Sequence, residues 1–147
     1  MEQKVKVLVT DDEEVMRKLL SQILSASGFE VLTASNGKEA VESVKRNQPQ
    51  VILLDLTMPE LDGFEACSQI RKDSENHNIP IIMLTGRGEE SAIVSALDRG
   101  ADDYIGKPFK PEVLNQKINV LLVKAKTGTL PSQLFRKKLQ TEQKDKV

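Results

Sequence analysis

Three aspartates, a threonine and a lysine follow short apolar segments of this sequence, at positions where a parallel sheet would bring them together. Asp11 and Asp12 follow the first segment, and Asp55 ends the third. Thr85 ends the fourth, and Lys107 follows the fifth. Because ligands of open α/β sheets bind outside the carboxyl ends of the strands, we expect these five side chains on one rim.

The charges of such a group indicate its chemistry. Taken singly, Asp11 and Asp12 are also explained by the dipole of a following helix, and Asp55 by a turn. Three carboxylates close together, however, raise one another's pKa unless a cation joins them. Carboxylate oxygens suit a hard divalent ion, above all Mg²⁺, which often shares its sites with phosphate. We therefore interpret the group as a magnesium site with a hydroxyl and an ammonium beside it.

The elements that would position this group alternate along the chain. Short β-branched runs occupy residues 5–9, 30–34, 51–55, 80–85 and 103–105, and longer segments with helical spacing separate them. This alternation predicts an α/β fold, a doubly wound (βα)₅ domain with a parallel five-stranded sheet. Its middle runs are continuously apolar, as expected for strands that helices cover on both faces.

Local signals predict where several helices begin. Asn36 stands three residues before Glu39, and Asp62 stands three residues before Glu65, the spacing of a helix-capping residue and its acidic partner. Pro111 fits the first turn of a last helix that we expect to reach residue 123 or 125.

Charge is unevenly distributed over the 147 residues. The chain has 21 basic and 22 acidic side chains, a formal net charge of −1. Residues 124–147 hold seven basic and two acidic side chains, or +5, which leaves −6 for residues 1–123. A net charge near zero argues against a nucleic-acid-binding surface over the chain as a whole.

Composition excludes several other classes. Cys67 is the only cysteine, so an internal disulfide framework and a cysteine zinc site are excluded. No apolar run approaches the roughly 18–20 residues of a membrane span, and residues 1–4 lead into a strand-like run rather than a signal sequence. We therefore expect a cytoplasmic protein without a membrane partner.

The last part of the chain is organised differently from the rest. Residues 127–131 are rich in helix-breaking and turn residues, and Leu130, Leu134, Phe135 and Leu139 then form a modest amphipathic segment. We expect a domain over residues 4–125, followed by a basic tail over 126–147. The tail is either a helical appendage that docks on something or the stub of a linker to a further domain.

Several short motifs stand at the predicted strand ends. They are Asp11-Asp12-Glu13, Asp55, Met58-Pro59-Glu60-Leu61-Asp62-Gly63, Thr85-Gly86 and Lys107-Pro108-Phe109. Together and in this order, over residues 4–123, they resemble the receiver domain of two-component response regulators. The resemblance implies a flavodoxin-like strand order, 2-1-3-4-5.

The resemblance also implies how the acidic residues act. Asp55 would accept a phosphoryl group from the phosphohistidine of a sensor histidine kinase or a phosphotransfer protein. Asp12, Asp55 and the backbone carbonyl of Thr57 would bind Mg²⁺, and Asp11 would reach the ion through water.

The remaining site residues are expected to contact the phosphoryl group and report its arrival. The Lys107 ammonium, aimed by a cis Lys107–Pro108 bond, and the Thr85 hydroxyl would contact phosphoryl oxygens. Tyr104 would rotate inward as Thr85 moves, and the surface of the fourth helix, fifth strand and fifth helix would change shape. Thr57 and Arg87 would flank the path of the hydrolytic water, and a bulky Arg87 is expected to hinder it.

The resemblance therefore predicts a signalling switch rather than a turnover enzyme. Its partner would be a downstream effector protein or an output domain outside this sequence, with homodimerisation open. A receiver that acts as a phosphorylation-independent scaffold is the alternative, which the complete residue set disfavours. A Mg²⁺-dependent phosphohydrolase would need a cap for which no insertion is long enough. A flavin-binding protein of this topology would bind a phosphate after the first strand. Residues 11–14 are all acidic there and would repel an anion without a metal.

Overall fold

Five strands build the sheet of the protein, for which a computed structural model describes residues 3–86 and 88–145. The strands are β1 (Lys6–Thr10), β2 (Glu30–Ala34), β3 (Val51–Asp55), β4 (Ile81–Thr85) and β5 (Asp103–Gly106). All pairs are parallel, in the order β2-β1-β3-β4-β5. The predicted fold class and strand order are confirmed.

Six helices accompany the strands within residues 3–86 and 88–145. They are α1 (Glu14–Ala26), α2 (Gly37–Asn47), α3 (Gly63–Lys72), α4 (Ile93–Asp98), α5 (Pro111–Thr127) and α6 (Pro131–Asp145). One-turn 3₁₀ segments at Ser74–Asn76 and Glu90–Ala92 follow α3 and precede α4. Within the described residues, no helix combines the length and the apolar character that crossing a membrane requires.

The sheet is buried on both faces because helices pack on each side of it. One cluster joins Leu8, Leu54 and Met83 to residues of α2, α3 and α4. The other joins Val9 and Leu53 to residues of α1 and α5. Every residue of β3 and β4 is buried, which agrees with the continuously apolar runs in the sequence.

The predicted helix caps are present. The Asn36 side chain accepts a hydrogen bond from the Glu39 amide at 2.8 Å, and Asp62 accepts one from the Glu65 amide at 2.9 Å. Helix α5 begins at Pro111 as expected, but it ends at Thr127, beyond the predicted end at residue 123 or 125. Gly128 stops the helix in the left-handed region, with φ 71°.

The basic C-terminal segment continues as helix α6. Leu130 is fully buried, and the Ser132 amide donates to Asp102 Oδ1 at 2.9 Å. The start of α6 is therefore fastened to the domain, whereas Leu134, Phe135 and Leu139 are largely exposed. Of the two alternatives for the tail, this contact fits a helical appendage, and whether a linker follows stays a prediction.

Candidate functional site

The switch point of the sheet lies between β1 and β3, where the strand order changes direction. After β1 the chain forms β2 on one side of β1, and it then crosses over to form β3 on the other side of β1. Asp11 and Asp12 follow β1, and Asp55 is the last residue of β3. The fold therefore places all three aspartates where ligands of open α/β sheets bind.

The three aspartates form a carboxylate cluster. One carboxylate oxygen from each of Asp11, Asp12 and Asp55 lies within 4.8 Å of the others. Asp11 and Asp55 are buried, whereas Asp12 is exposed. The Asp11 side chain accepts a hydrogen bond from the Glu13 amide at 3.0 Å, and its backbone carbonyl accepts one from Arg17 Nη1 at 2.8 Å. These contacts fix Asp11 at the start of α1.

Burial of the cluster changes the protonation of its central residue. Burial, followed by the negative charge of Asp11, raises the pKa of Asp55 from its usual 3.8 to about 7. The Lys107 charge and the Thr57 backbone amide lower the pKa of Asp55, and Asp12 adds a small increase. A positive charge at this place would therefore favour the ionised carboxylate.

Lys107 already supplies one positive charge. Its Nζ lies 2.7 Å from Asp11 Oδ2 and 3.5 Å from Asp55 Oδ2. The Lys107 amide donates to the Thr85 carbonyl at 2.7 Å, and the Lys107–Pro108 bond is cis, as the resemblance implied. By these two distances, the Lys107 ammonium lies against the carboxylates of Asp11 and Asp55.

The donor set of this cluster fits a hard divalent cation. It consists of oxygen atoms, two of its three carboxylates are buried, and one ammonium cannot neutralise three negative charges. Asp11, Asp12 and Asp55 could together hold a metal ion.

Thr85 and Tyr104 occupy adjacent strands near the cluster. Thr85 is buried, and its hydroxyl donates to the Ile105 carbonyl at 3.4 Å. Tyr104 is 41% exposed and turns its ring outward, where Lys117 Nζ lies 5.6 Å from the ring centre. This is the outward position from which the predicted inward rotation would begin.

The loops after β3 and β4 contribute a residue that the sequence did not indicate. Glu89 Oε1 accepts a hydrogen bond from the Gly86 amide at 2.6 Å, and Oε2 accepts one from the Thr57 hydroxyl at 2.9 Å. Thr57 is exposed at the mouth of the site. Arg87, for which we predicted an effect on the hydrolytic water, lies outside the described residues.

The chain is similar to known proteins over most of its length. Residues 7–119 match the family described as the response regulator receiver domain. The Guillardia theta protein named "Probable transcriptional regulator ycf27" is 43% identical over 91% of this chain and 52% of its own length. The alkaline phosphatase synthesis transcriptional regulatory protein PhoP of Bacillus subtilis is 40% identical over 88% of this chain and 53% of its own.

Solved structures agree with these relatives. A response regulator receiver domain protein of Clostridium thermocellum superposes with a TM-score of 0.78 and 31% identity, covering 84% of this chain and 98% of its own. The chemotaxis protein CheY4 of Vibrio cholerae superposes with a TM-score of 0.76 and 33% identity, over 81% and 99% of the two chains. This chain spans about half the length of the curated relatives it matches. The match over residues 7–119 means that the chain belongs to the response regulator receiver domain family.

Proposed function

We propose that Asp55 accepts a phosphoryl group from a phosphohistidine, in a reaction that requires Mg²⁺. The donor would be a sensor histidine kinase or a phosphotransfer protein, and the reaction would take place in the cytoplasm. The observation that supports this most strongly is the carboxylate cluster of Asp11, Asp12 and Asp55, with Lys107 directed at it.

The transfer exchanges one bond of phosphorus for another. A carboxylate oxygen of Asp55 attacks the phosphorus, and the bond from phosphorus to the imidazole nitrogen breaks. The nitrogen leaves with the electron pair of that bond. Asp12, Asp55 and the Thr57 carbonyl would hold Mg²⁺, which Asp11 would reach through water, and the bound ion would supply positive charge for the phosphoryl oxygens.

Residues of the chain orient and neutralise the group that is transferred. The Lys107 ammonium favours the ionised form of Asp55, because its charge lowers the pKa of that carboxyl. It is also close enough to Asp55 to contact an oxygen of the new acyl phosphate. The Thr85 hydroxyl, now bound to a backbone carbonyl, is the donor that would turn towards the phosphoryl group.

Phosphorylation would alter a surface rather than start the turnover of an external substrate. A phosphoryl group adds about −1.5 to −2 charge, enough to bias two conformations that differ by a few kcal/mol. Movement of Thr85 would let Tyr104 turn inward and reshape the face of α4, β5 and α5. This face exposes Val94, Leu97, Tyr104, Val113 and Val120. Its partner would be an effector protein, an output domain or a second copy of the chain.

Intact mass after incubation with acetyl phosphate and Mg²⁺ tests the proposal. We expect a single phosphoryl adduct that is absent from Asp55→Asn and present in Asp98→Asn, which changes an exposed aspartate at the end of α4. No adduct on the unmodified sequence would support the scaffold alternative. Steady phosphate release from many small esters would support a phosphohydrolase. Light scattering with and without beryllofluoride would show whether activation causes self-association.

A further inference from the structure

Glu89 links the two loops beside Asp55. It lies in the loop after β4, and its two carboxylate oxygens bind different loops. One oxygen accepts a hydrogen bond from the Gly86 amide at 2.6 Å, and the other accepts one from the Thr57 hydroxyl at 2.9 Å. Gly86 directly follows Thr85, and Thr57 stands two residues after Asp55. A single side chain therefore joins the segments that carry the predicted hydroxyl donor and the predicted phosphoryl acceptor.

The residue at position 86 permits this contact. A Cβ at Gly86 would lie 2.8 Å from Glu89 Oε1, closer than a carbon and an oxygen normally approach. A larger residue at position 86 would therefore require the end of the flexible Glu89 side chain to shift. The observed position of the Glu89 carboxylate thus uses the space that glycine leaves open.

The contact adds negative charge to an edge that already holds three carboxylates. The cluster of Asp11, Asp12 and Asp55 has the Lys107 ammonium against it. A phosphoryl group would bring about −1.5 to −2 further charge and would need N–H and O–H donors. Backbone amides in such loops are the donors that anions bind. Glu89 holds one amide and one hydroxyl on the two loops that flank Asp55.

We infer that Glu89 is a positioning residue that opposes phosphoryl transfer to Asp55. In the unmodified protein its carboxylate occupies the Gly86 amide and the Thr57 hydroxyl. When the phosphoryl group arrives, repulsion displaces the carboxylate and the two loops separate from each other. This inference rests on the proposed function, and it adds a residue that determines how readily the protein is modified.

Replacement of Glu89 by glutamine tests the effect of its charge, because the side chain keeps nearly the same size. Glu89→Gln keeps the length of the side chain and one acceptor oxygen, but it removes the negative charge. The variant is incubated with acetyl phosphate at saturating Mg²⁺, and the initial rate of adduct formation is followed by intact mass. In this reaction an Asp55 oxygen bonds to phosphorus, the bond from phosphorus to the acetate oxygen breaks, and acetate leaves with the electron pair.

We expect Glu89→Gln to be labelled roughly fivefold faster, the factor that removal of one nearby repelling charge contributes in water-like surroundings. Glu42→Gln, which removes the same charge from an exposed position on α2, serves as the matched control and should react at the unmodified rate. Repulsion is screened by salt, with a Debye length of about 30 Å at 0.01 M and 3 Å at 1 M. The ratio of the Glu89→Gln labelling rate to the unmodified rate should therefore approach one at 1 M salt. A ratio that has a purely structural cause would not change with salt.

Two results would overturn the role of Glu89 while leaving the proposed function intact. One is equal labelling of Glu89→Gln, Glu42→Gln and the unmodified sequence. The other is an advantage of Glu89→Gln that is the same at low and high salt. If neither the variants nor the unmodified sequence forms an adduct, the proposed function itself fails, and the role of Glu89 fails with it.

Discussion

The ammonium of Lys107 lies 2.7 Å from Oδ2 of Asp11, although the two residues are 96 positions apart in the chain. The Asp11 side chain is fully buried and that of Lys107 is 17% exposed, so water screens the pair weakly. Burial lowers the pKa of Lys107, but the hydrogen bond to Asp11 and the charge of Asp55 outweigh it and leave that pKa above its usual value. Lys107 is therefore charged at neutral pH and partly neutralises the carboxylate cluster.

Replacing Lys107 by methionine should slow the modification of Asp55. The variant keeps the aliphatic length but loses the charge that lies 3.5 Å from Asp55 Oδ2. We expect the initial rate of labelling by acetyl phosphate to fall about 10²-fold, the usual effect of removing one charged or donor group from such a site. Lys110→Met, at an exposed position three residues later, is the control and should keep the original rate. Equal rates for both variants would contradict a role for Lys107.

The protonation of Asp55 should make the stability of the metal-free protein depend on pH. The pKa of Asp55 is about 7 in the folded protein against a usual 3.8, mainly because of burial. The folded state therefore binds the proton more tightly than the unfolded state does. Between about pH 4 and 7 this contribution to stability is lost as the pH rises, and the loss is complete above pH 7.

Comparison of Asp55→Asn with the unmodified sequence isolates this effect. In buffer with EDTA, we expect the two proteins to differ little in free energy of unfolding near pH 4. Above pH 7 the variant should be more stable by at least about 1 kcal/mol, since one pKa unit corresponds to about 1.4 kcal/mol. Addition of Mg²⁺ at pH 8 should stabilise only the protein that keeps Asp55. A stability difference that does not change with pH would refute the raised pKa.

The order of the elements and the position of the site were predictable because they depend on local pattern. Continuous apolar runs indicate buried strands, and the strand ends then determine where Asp11, Asp55 and Lys107 meet. The caps at Asn36 and Asp62 were predictable for the same reason, since each cap is formed within four residues.

Contacts between distant segments were not predictable from the same patterns. Glu89 lies in a polar loop, where a glutamate that binds two loops has the same sequence signal as a solvated one. Arg71 occupies the last turn of α3, where a basic residue usually faces water, yet it is buried. The outward, partly exposed position of the Tyr104 ring is likewise not indicated by the sequence pattern around it. Each of these features depends on tertiary packing, which spacing along the chain does not record.

Arg71 should be one of the most important polar residues for stability. Its Nη2 lies 2.8 Å from Asp102 Oδ2, and its other nitrogens donate to the carbonyls of Asn76, Ile79 and Gly100. Arg71→Met would leave the Asp102 carboxylate buried without its cation. We expect the variant to lose about 3–5 kcal/mol of unfolding free energy in chemical denaturation.

Arg99→Met provides the comparison, because the substitution is the same but the ion pair is exposed. The side chains of Arg99 and Glu65 are 44% and 52% accessible, and their charged atoms lie 3.1 Å apart. Exposed pairs of this kind contribute about 0–1 kcal/mol. Similar losses for Arg71→Met and Arg99→Met would mean that burial of the Arg71 pair does not determine its contribution.

Cys67 should react with alkylating reagents only when the protein opens. Its side chain is fully buried on α3, and burial raises the pKa of the thiol from 9.0 to about 11. Since the thiolate is the reactive form, this change alone reduces its fraction at pH 8 by roughly a hundredfold. We expect iodoacetamide to modify the unfolded chain in guanidinium within minutes and the native protein far more slowly. The sulfur of Cys67 lies 3.5 Å from the Arg99 carbonyl, on the buried side of α3. Modification of the native protein at the rate of the unfolded chain would contradict this buried position.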